Sequence, residues 1–323
     1  MIYSDVPTPP AHSKEKGILK SEISFLKLSK KAVILAHYYQ VPEIQEIADF
    51  VGDSLALSQH AAKTSADIIV FAGVHFMAET AKILNPDKKV LIPDSDASCS
   101  LSESCPAATF RAFIDAHPNH KVLTYINCSA EIKAMSDLVC TSSNAEKMVA
   151  SFPQEQPIIF APDRNLGQYI QKKTGRDLLL WEGTCLVHEA FALEKVINLH
   201  KKYPNALFIA HPESNPQILD IASYIGSTSG MIEYVRSSRA EEFIVATEAG
   251  ILYQMQKEVP EKRLYPAPAK EDNECACSEC EYMKLNTLEK IYDCLINEIP
   301  EVDVPLYIQK KAIIPIQRML ALS

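Results

Sequence analysis

The sequence contains few glycines and lacks the two motifs that most often bind nucleotides. Only 9 of the 323 residues are glycine, well below the usual share of about 7%. Neither G-x-G-x-x-G nor G-x-x-x-x-G-K-S/T occurs, and both motifs need glycine where the backbone approaches phosphate groups. A tightly bound dinucleotide and P-loop nucleotide chemistry are therefore disfavoured.

Long apolar runs and basic blocks are also missing. No stretch reaches the roughly 18 apolar residues of a membrane-spanning helix, and residues 1–17 carry prolines and lysines instead of the apolar centre of a signal peptide. Lysine and arginine number 32 against 41 acidic residues, which gives a formal net charge of −9. An acidic chain of this kind binds nucleic acid poorly. We expect a cytoplasmic protein that binds neither membrane nor nucleic acid.

Short apolar runs alternate with helical stretches along the chain. Buried strands are predicted at residues 32–36, 122–124 and 206–210. Helices are predicted to follow them at residues 43–50, 131–135 and 217–222, with two more at 286–296 and 305–320. Alternation of this kind is typical of α/β layers with parallel strands.

The alternating unit is repeated three times. Tyr125 comes 88 residues after His37 and 86 residues before His211, and each follows a predicted strand. A second set of positions keeps the same two intervals: Ser54, Ser142 and Thr228. A period that holds at several positions indicates an internal repeat. We predict three homologous αβα three-layer domains around a pseudo-threefold axis.

The repeat divides the chain into five predicted segments. They are an N-terminal extension (1–22), three α/β repeats (23–107, 108–194 and 195–282) and C-terminal helices packed on the body (283–323). Three units around one axis direct equivalent loops at a common centre. Because ligands bind outside the carboxyl ends of parallel strands, we expect the functional site at that centre.

The cysteines suggest metal or redox chemistry. Their odd number, 9, argues against a disulfide framework, and a cytoplasmic chain keeps its thiols reduced. Cys99 and Cys185 lie 86 residues apart, which is the repeat period. One thiolate from each repeat provides three soft ligands and suits an iron–sulfur cluster with one iron free of protein ligands. For Cys128, Cys140 and Cys294, ordinary burial is the favoured interpretation.

Spacing alone does not identify the third ligand. Cys275, Cys277 and Cys280 follow Cys185 by 90, 92 and 95 residues, so Cys275 is nearest to the period. However, residues 270–274 are polar and loop-like, which lets the third repeat absorb extra length, and Cys280 opens a predicted helix whose dipole stabilises a thiolate. These features favour Cys280, and the residues that follow it add a resemblance to a known family, given below. We predict that Cys280 is the ligand, and that Cys275 and Cys277 are free thiols or an oxidisable pair.

Polar residues at equivalent positions predict an anion site. We expect Ser54, Ser142 and Thr228 each to open a helix, where a hydroxyl caps the helix and backbone N–H groups face an anion. Ser227 and Ser229 strengthen the third copy. Plain capping remains the alternative for each hydroxyl.

A further polar set follows the predicted strands: His37, Tyr39, Tyr125, Asn127, His211 and Glu213. Glu213 is the best general-base candidate, because a shielded carboxylate can have its pKa raised. His188 is either a neighbour of the metal or a surface histidine. The other polar residues at strand ends rank lower as candidates: Asp163, Arg164 and Glu248.

Nine segments together resemble the quinolinate synthase family. They are residues 36–40, 52–55, 76–81, 98–101, 124–127, 140–145, 185–188, 211–213 and 280–284. The resemblance extends from Ile34 to Leu288. The N-terminal extension is unmatched, and not all members of the family carry the three-cysteine group at Cys275, Cys277 and Cys280.

The resemblance implies a triplicated α/β enzyme that condenses iminoaspartate with dihydroxyacetone phosphate. The products are quinolinate for NAD synthesis, phosphate and two waters, and an aspartate oxidase is a candidate source of iminoaspartate. The implied cofactor is a [4Fe–4S] cluster held by Cys99, Cys185 and Cys280. The implied substrate-binding residues are His37, Ser54, Tyr125, Asn127, Ser142, His211, Glu213, Ser227 and Thr228. The implied catalytic residues are Glu213, Tyr39, Tyr125, Asn127 and His37.

Two other functions stay open from the residues alone. A zinc-dependent hydrolase or aldolase would use the same three cysteines. A non-catalytic redox sensor would use a cluster to switch a partner interaction, but it leaves the repeated polar residues unexplained.

Overall fold

A computed structural model describes residues 11–270 and 278–323 of the protein. These residues form three four-stranded sheets, and each sheet has the order second, first, third, fourth strand. Every strand pair within the sheets is parallel. The predicted α/β class and its threefold repetition are confirmed. Cys275 and Cys277 lie outside the described residues.

The first repeat is built on the continuous apolar run that begins at Ala32. Its strands are β1 (Ala32–His37), β2 (Phe50–Gly52), β3 (Ile68–Ala72) and β4 (Lys89–Leu91). Its helices are α1 (Ala11–Ser29), α2 (Pro42–Ile47), α3 (Ser54–Lys63), α4 (His75–Leu84) and α5 (Ser100–Glu103). Ile34, Leu35 and Ala36 are all buried, because helices cover both faces of a parallel sheet and leave no polar alternation in its strands.

The predicted helix at 43–50 is too long. Helix α2 ends at Ile47, and Phe50 already belongs to β2. The chain turns at Ala48, whose backbone is extended, and the Oδ2 atom of Asp49 accepts the backbone N–H of Ile34 at 2.7 Å. Asp137 accepts the N–H of Val122 in the same way at 2.9 Å. A side-chain bond to the neighbouring strand thus ends the helix early and starts the second strand.

The second and third repeats follow the same plan. The second contains α6 (Ala107–Asp115), β5 (Lys121–Tyr125), α7 (Ala130–Ala134), β6 (Leu138–Cys140), α8 (Ala145–Ala150), β7 (Ile158–Ala161), α9 (Arg164–Thr174), β8 (Leu179–Leu180) and α10 (Leu186–Glu189). The third contains α11 (Leu193–Lys202), β9 (Leu207–Ala210), α12 (Pro216–Asp220), β10 (Tyr224–Ile225), α13 (Thr228–Ser237), β11 (Glu242–Ala246), α14 (Ile251–Glu258) and β12 (Arg263–Pro266). Equivalent strands therefore end in equivalent loops, as the period requires.

The terminal helices pack on the first two repeats. The chain ends with α15 (Glu281–Lys284), α16 (Leu288–Asn297) and α17 (Leu306–Leu322). Helix α1 packs on α16 and β1, while α17 packs on α4, α7 and β6. Because α1 continues past residue 22, the described part of the predicted N-terminal extension is continuous with the first repeat. The segment boundaries themselves stay a prediction.

The apolar cores are distributed unequally. One cluster joins the first two repeats to α17 through Ile308, Ala312 and Ile316. The third repeat has two clusters of its own, and the adjacent residues Phe208 and Ile209 belong to different ones. Successive side chains of a strand point to opposite faces, so one cluster lies on each side of this sheet. None of the described helices is long and apolar enough to span a membrane.

Candidate active site

The loops at the carboxyl ends of the three sheets enclose one cavity. Side chains from all three repeats line it, including every predicted site residue except Ser227. The lining residues of the predicted set are Cys99, Cys185, Cys280, His37, Tyr39, Ser54, Tyr125, Asn127, Ser142, His211, Glu213 and Thr228. The repeat therefore brings together residues that lie up to 243 positions apart in the chain, from His37 to Cys280.

The three cysteines have equivalent local geometry. Cys99, Cys185 and Cys280 each have an extended backbone and immediately precede a helix of four residues, α5, α10 or α15. Each sulfur also faces backbone N–H groups of its own short helix. Donors in this arrangement stabilise a thiolate. Cys280 does precede a helix, as expected, but that helix is the short α15, and the predicted helix at 286–296 corresponds to α16. Cys128, Cys140 and Cys294 are buried in apolar packing, as expected.

Burial determines the protonation state of these three thiols. Burial raises the pKa of Cys99 to about 12, and it also raises the pKa of Cys185 and of Cys280. A thiol with such a pKa stays protonated at neutral pH unless a cation stabilises its thiolate. Metal ligation requires the thiolate and releases the proton. Three buried thiols around one cavity therefore fit a thiolate-bound metal centre.

A second group with metal-ligating atoms lies beside the cysteines. The ligand atoms of Cys185, His188 and Glu213 are within 4.8 Å of one another, a mixed set that suits zinc. In this structure the three side chains are already in hydrogen-bonding contact with one another. The His188 Nδ1 atom lies 3.2 Å from the Cys185 Sγ atom and 3.2 Å from a Glu213 oxygen. Only one of the three predicted cysteine ligands takes part, so the zinc alternative with three cysteines gains no support here.

His188 is a core residue. Only 2% of its surface is exposed. The alternative that His188 is a surface histidine, which the sequence left open, is therefore wrong. Its Nε2 atom lies 2.9 Å from the Thr247 hydroxyl, which lies 2.8 Å from the Tyr39 hydroxyl. A hydrogen-bonded chain therefore runs from Tyr39 through Thr247 and His188 to Glu213. Thr247 was missed, although it lies in the junction after the third strand of its repeat, where the period continues.

Glu213 is held as an anion, contrary to the expected rise of its pKa. Burial alone would raise the pKa of Glu213, but the imidazole of His188 and hydrogen bonds from His188 and Tyr125 outweigh burial and lower the pKa below its usual range. The Tyr125 hydroxyl donates to the Oε1 atom at 2.5 Å. The shielded position was identified correctly, but these partners outweigh desolvation. Glu213 is therefore ionised at neutral pH.

His37 and His211 have the same orientation in the first and third repeats. The Nδ1 atom of His37 accepts the N–H of Tyr39 at 3.2 Å, and that of His211 accepts the N–H of Glu213 at 3.4 Å. This network assigns the proton of each neutral ring to Nε2. Burial lowers the pKa of both histidines to about 3. Each is therefore a neutral Nε2–H donor at pH 7, and the His211 Nε2 atom lies 3.2 Å from the Ser142 hydroxyl.

Ser54 and Thr228 open helices as expected, but neither of their hydroxyls caps its helix. Asp53 caps α3 by accepting from Ala56 at 2.9 Å, and Ser227 caps α13 by accepting from Gly230 at 3.2 Å. Ser54 and Thr228 are the first helical residues, so their hydroxyls are not needed for capping. Ser142 opens no helix, because α8 begins later, at Ala145.

A local turn explains the position of Ser142. The Asn144 Oδ1 atom accepts the N–H of Thr141 at 2.7 Å and closes a short turn ahead of α8. The Ser142 hydroxyl instead meets His211 of the third repeat. Asn127, on the preceding loop of the same repeat, has a buried Oδ1 atom with no hydrogen-bond partner in the described parts of the chain. The second repeat thus contributes a hydroxyl group and an available acceptor to the cavity.

Comparison with known proteins identifies close relatives over nearly the whole chain. A family model described as quinolinate synthetase A protein matches residues 21–321. The chain is 60% identical over 305 residues to a quinolinate synthase of Gloeothece citriformis, covering 94% of both chains. It is 59% identical over 315 residues to that of Microcystis aeruginosa, covering 98% of both, and 55% identical over the full length of both to that of Cyanothece sp..

Proposed function

Because the chain belongs to the quinolinate synthase family, we propose that it condenses iminoaspartate with dihydroxyacetone phosphate to form quinolinate. The chain is an enzyme of NAD biosynthesis. The proposed reaction releases one phosphate and two waters, and its atoms balance without an oxidant or a reductant. An aspartate oxidase would supply the iminoaspartate. We propose a cytoplasmic location, because the free thiols at Cys99, Cys185 and Cys280 must stay reduced.

One observation carries the cofactor assignment. A cysteine of each repeat lines the same cavity as the repeated histidines and hydroxyls. We propose that Cys99, Cys185 and Cys280 hold a [4Fe–4S] cluster and leave one iron without a protein ligand. When bound, the cluster supplies a Lewis acid for a substrate hydroxyl or carboxylate. Three sulfur ligands of one kind suit iron–sulfur chemistry better than they suit a catalytic zinc.

The neutral histidines and the hydroxyls fit the anionic substrates. His37 and His211 present Nε2–H donors, and buried donors bind carboxylate or phosphate oxygens strongly. Ser54, Ser142 and Thr228 add hydroxyl donors at the same cavity. These groups would hold the carboxylates of iminoaspartate and the phosphate of the second substrate. The available Oδ1 atom of Asn127 would accept a substrate N–H or O–H.

Glu213 and Tyr125 fit the proton transfers of the two dehydrations. Glu213 is an ionised carboxylate and accepts a proton, while the Tyr125 hydroxyl beside it returns one to a leaving oxygen. The chain of hydrogen bonds from Tyr39 through Thr247 and His188 ends on the same carboxylate. These contacts would keep the Glu213 carboxylate in a fixed orientation while protons move to and from the substrate oxygens.

The test is anaerobic synthesis of quinolinate from the two substrates. The chain is assayed with its cluster reconstituted, after removal of the cluster, and after loading with zinc. Quinolinate formed only by the reconstituted protein supports the proposal. A colourless zinc protein with equal activity would support the zinc alternative, and a cluster protein that forms no quinolinate would contradict the enzymatic assignment.

We expect oxygen to inactivate the enzyme. An iron without a protein ligand is the most easily lost from a cluster held by three thiolates. Quinolinate formation and bound iron are measured after timed exposure to air, with an aliquot kept anaerobic as the control. Both should fall together, and anaerobic addition of iron and reductant should restore them. Full activity in an aerobically purified, iron-free protein would contradict this expectation.

We expect Ser142→Ala to weaken substrate binding more than turnover. A hydrogen bond to a charged group is worth about 1.5–3 kcal/mol, so KM for the affected substrate should rise about 10- to 100-fold. Ser143→Ala is the matched control, since that neighbouring hydroxyl is exposed and bonds to Thr141. An unchanged KM for both substrates would restrict Ser142 to a structural contact with His211.

A further inference from the structure

A buried carboxylate that lines the same cavity contacts the backbone of Cys280. Glu248 follows β11, and none of its surface is exposed. Its Oε1 atom accepts the backbone N–H of Cys280 at 3.2 Å, and its Oε2 atom accepts the backbone N–H of Gly250 at 2.7 Å. The side chain therefore joins the end of β11 to the start of α15.

Lys284 extends this contact to the first repeat. Its Nζ atom lies 2.8 Å from the Oε1 atom of Glu248 and donates to the carbonyl oxygen of Tyr39 at 2.6 Å. A Cβ atom at Gly250 would lie 2.7 Å from that carbonyl oxygen, so glycine permits the close approach. Three chain segments thus meet at one carboxylate: the Tyr39 loop, the end of β11 and the segment that carries Cys280.

The second repeat contains a related but weaker arrangement. Asp163 follows Ala161 of β7 by two residues, as Glu248 follows Ala246 of β11. Asp163 is also fully buried, and the backbone N–H of Cys185 favours its charged form. However, its Oδ1 atom bonds to Leu166, and its Oδ2 atom has no hydrogen-bond partner among the described residues.

The first repeat lacks such a group. Val74 holds the corresponding position after Ala72, and its side chain is apolar and buried. The third repeat therefore has the better-defined contact, since the backbone N–H of Cys280 donates to Glu248 at 3.2 Å, whereas the N–H of Cys185 interacts only weakly with Asp163. This is also the repeat in which Cys280 follows the 271–277 stretch and departs from the period by nine residues.

We propose that Glu248 is a positioning residue that holds Cys280 in its ligating orientation and ties this ligand to the Tyr39 loop through Lys284. This inference rests on the proposed cluster. Three donors converge on the carboxylate, and only a carboxylate accepts from all three. A glutamine would direct its NH₂ group at one of them. Partners behind a metal ligand typically change metal affinity about 10- to 100-fold, so the role is measurable in iron retention.

The experiment compares Glu248→Gln with the wild type and with Glu258→Gln, an exposed glutamate at the end of α14. Each protein is reconstituted anaerobically with iron and sulfide, and the rate of iron loss to EDTA is measured together with the electron paramagnetic resonance spectrum of the reduced cluster. We expect Glu248→Gln to lose iron about 10- to 100-fold faster, with an altered spectrum, while Glu258→Gln matches the wild type. Equal rates and spectra for all three would overturn the inference.

A double variant separates the contact with Cys280 from the charge of Lys284. Glu248→Gln with Lys284→Met removes both charges together, which buried ion pairs often tolerate, and thus keeps the test available if the single variant folds poorly. Rapid iron loss in the double variant supports positioning through Cys280. Normal retention would show that the unpaired ammonium caused the loss and would overturn the inference. A wild-type protein that binds no cluster would instead contradict the proposed function.

Discussion

Cys280→Ser is expected to yield a folded chain that retains no intact cluster and forms no quinolinate. Serine keeps the size of the side chain but does not provide a thiolate, and a hydroxyl at this position is a poor ligand for iron–sulfur chemistry. The remaining thiols, Cys99 and Cys185, provide two of the three proposed ligands. We therefore expect activity below detection, which is the largest effect of any single substitution proposed here.

The measurement is iron and sulfide content, absorption near 400 nm and quinolinate formation after anaerobic reconstitution. Cys294→Ser is the matched control, because Cys294 is buried in α16 away from the cavity. Cys275→Ser and Cys277→Ser complete the series, although both positions lie outside the described residues. A normal cluster in Cys280→Ser, together with its loss in either of these two variants, would move the third ligand to that position.

Glu213→Gln is expected to keep the cluster and to lower kcat by about 10²- to 10⁴-fold, the usual cost of losing a positioned acid–base group. The amide keeps the shape of the carboxylate but cannot accept a proton at neutral pH. Its NH₂ group would also face either the Tyr125 hydroxyl or His188, both of which now contact carboxylate oxygens. Both the proton acceptor and its orientation would be lost.

Steady-state kinetics with each substrate test this expectation, with bound iron measured on the same samples. Glu194→Gln is the control, since Glu194 is exposed in the first turn of α11. If Glu213→Gln turns over at a near-normal rate with a normal iron content, Glu213 has no part in proton transfer. A variant without iron would instead indicate that the carboxylate supports the cluster through His188 and Cys185.

The fold was predictable because its signal is long and periodic. Buried parallel strands such as β1 and β9 appear in the sequence as uninterrupted apolar runs. His37, Tyr125 and His211 each follow such a run, and they recur at nearly constant intervals. The same period predicts which loops converge. Most of the cavity-lining residues follow from these two observations, with no knowledge of the contacts between repeats.

Contacts between repeats were not predictable from the sequence. The pKa of Glu213 depends on His188, 25 residues earlier, and on Tyr125 of another repeat. Glu248 ranked low as a candidate because its partners, Cys280 and Lys284, belong to a later segment. Short helices were also hidden: α5, α10 and α15 have four residues each, too few to display a helical period. The cap of α3 was assigned to the wrong residue, because Asp53 caps it instead of the neighbouring Ser54. Among the three hydroxyl residues, a helix start was misplaced only at Ser142, since α8 begins at Ala145.

The proposed placement of one cysteine ligand in each repeat affects when the site can form during protein synthesis. Chains are made at about 5–20 residues per second, and N-terminal domains fold first. The 181 residues from Cys99 to Cys280 therefore separate the appearance of the first and third thiols by roughly 9–36 s. The first repeat has time to fold around Cys99 while the last ligand is still unmade. If these three cysteines hold the cluster as proposed, its insertion follows translation of nearly the whole chain. A truncated product that ends before Cys280 would then have only two of the three proposed ligands.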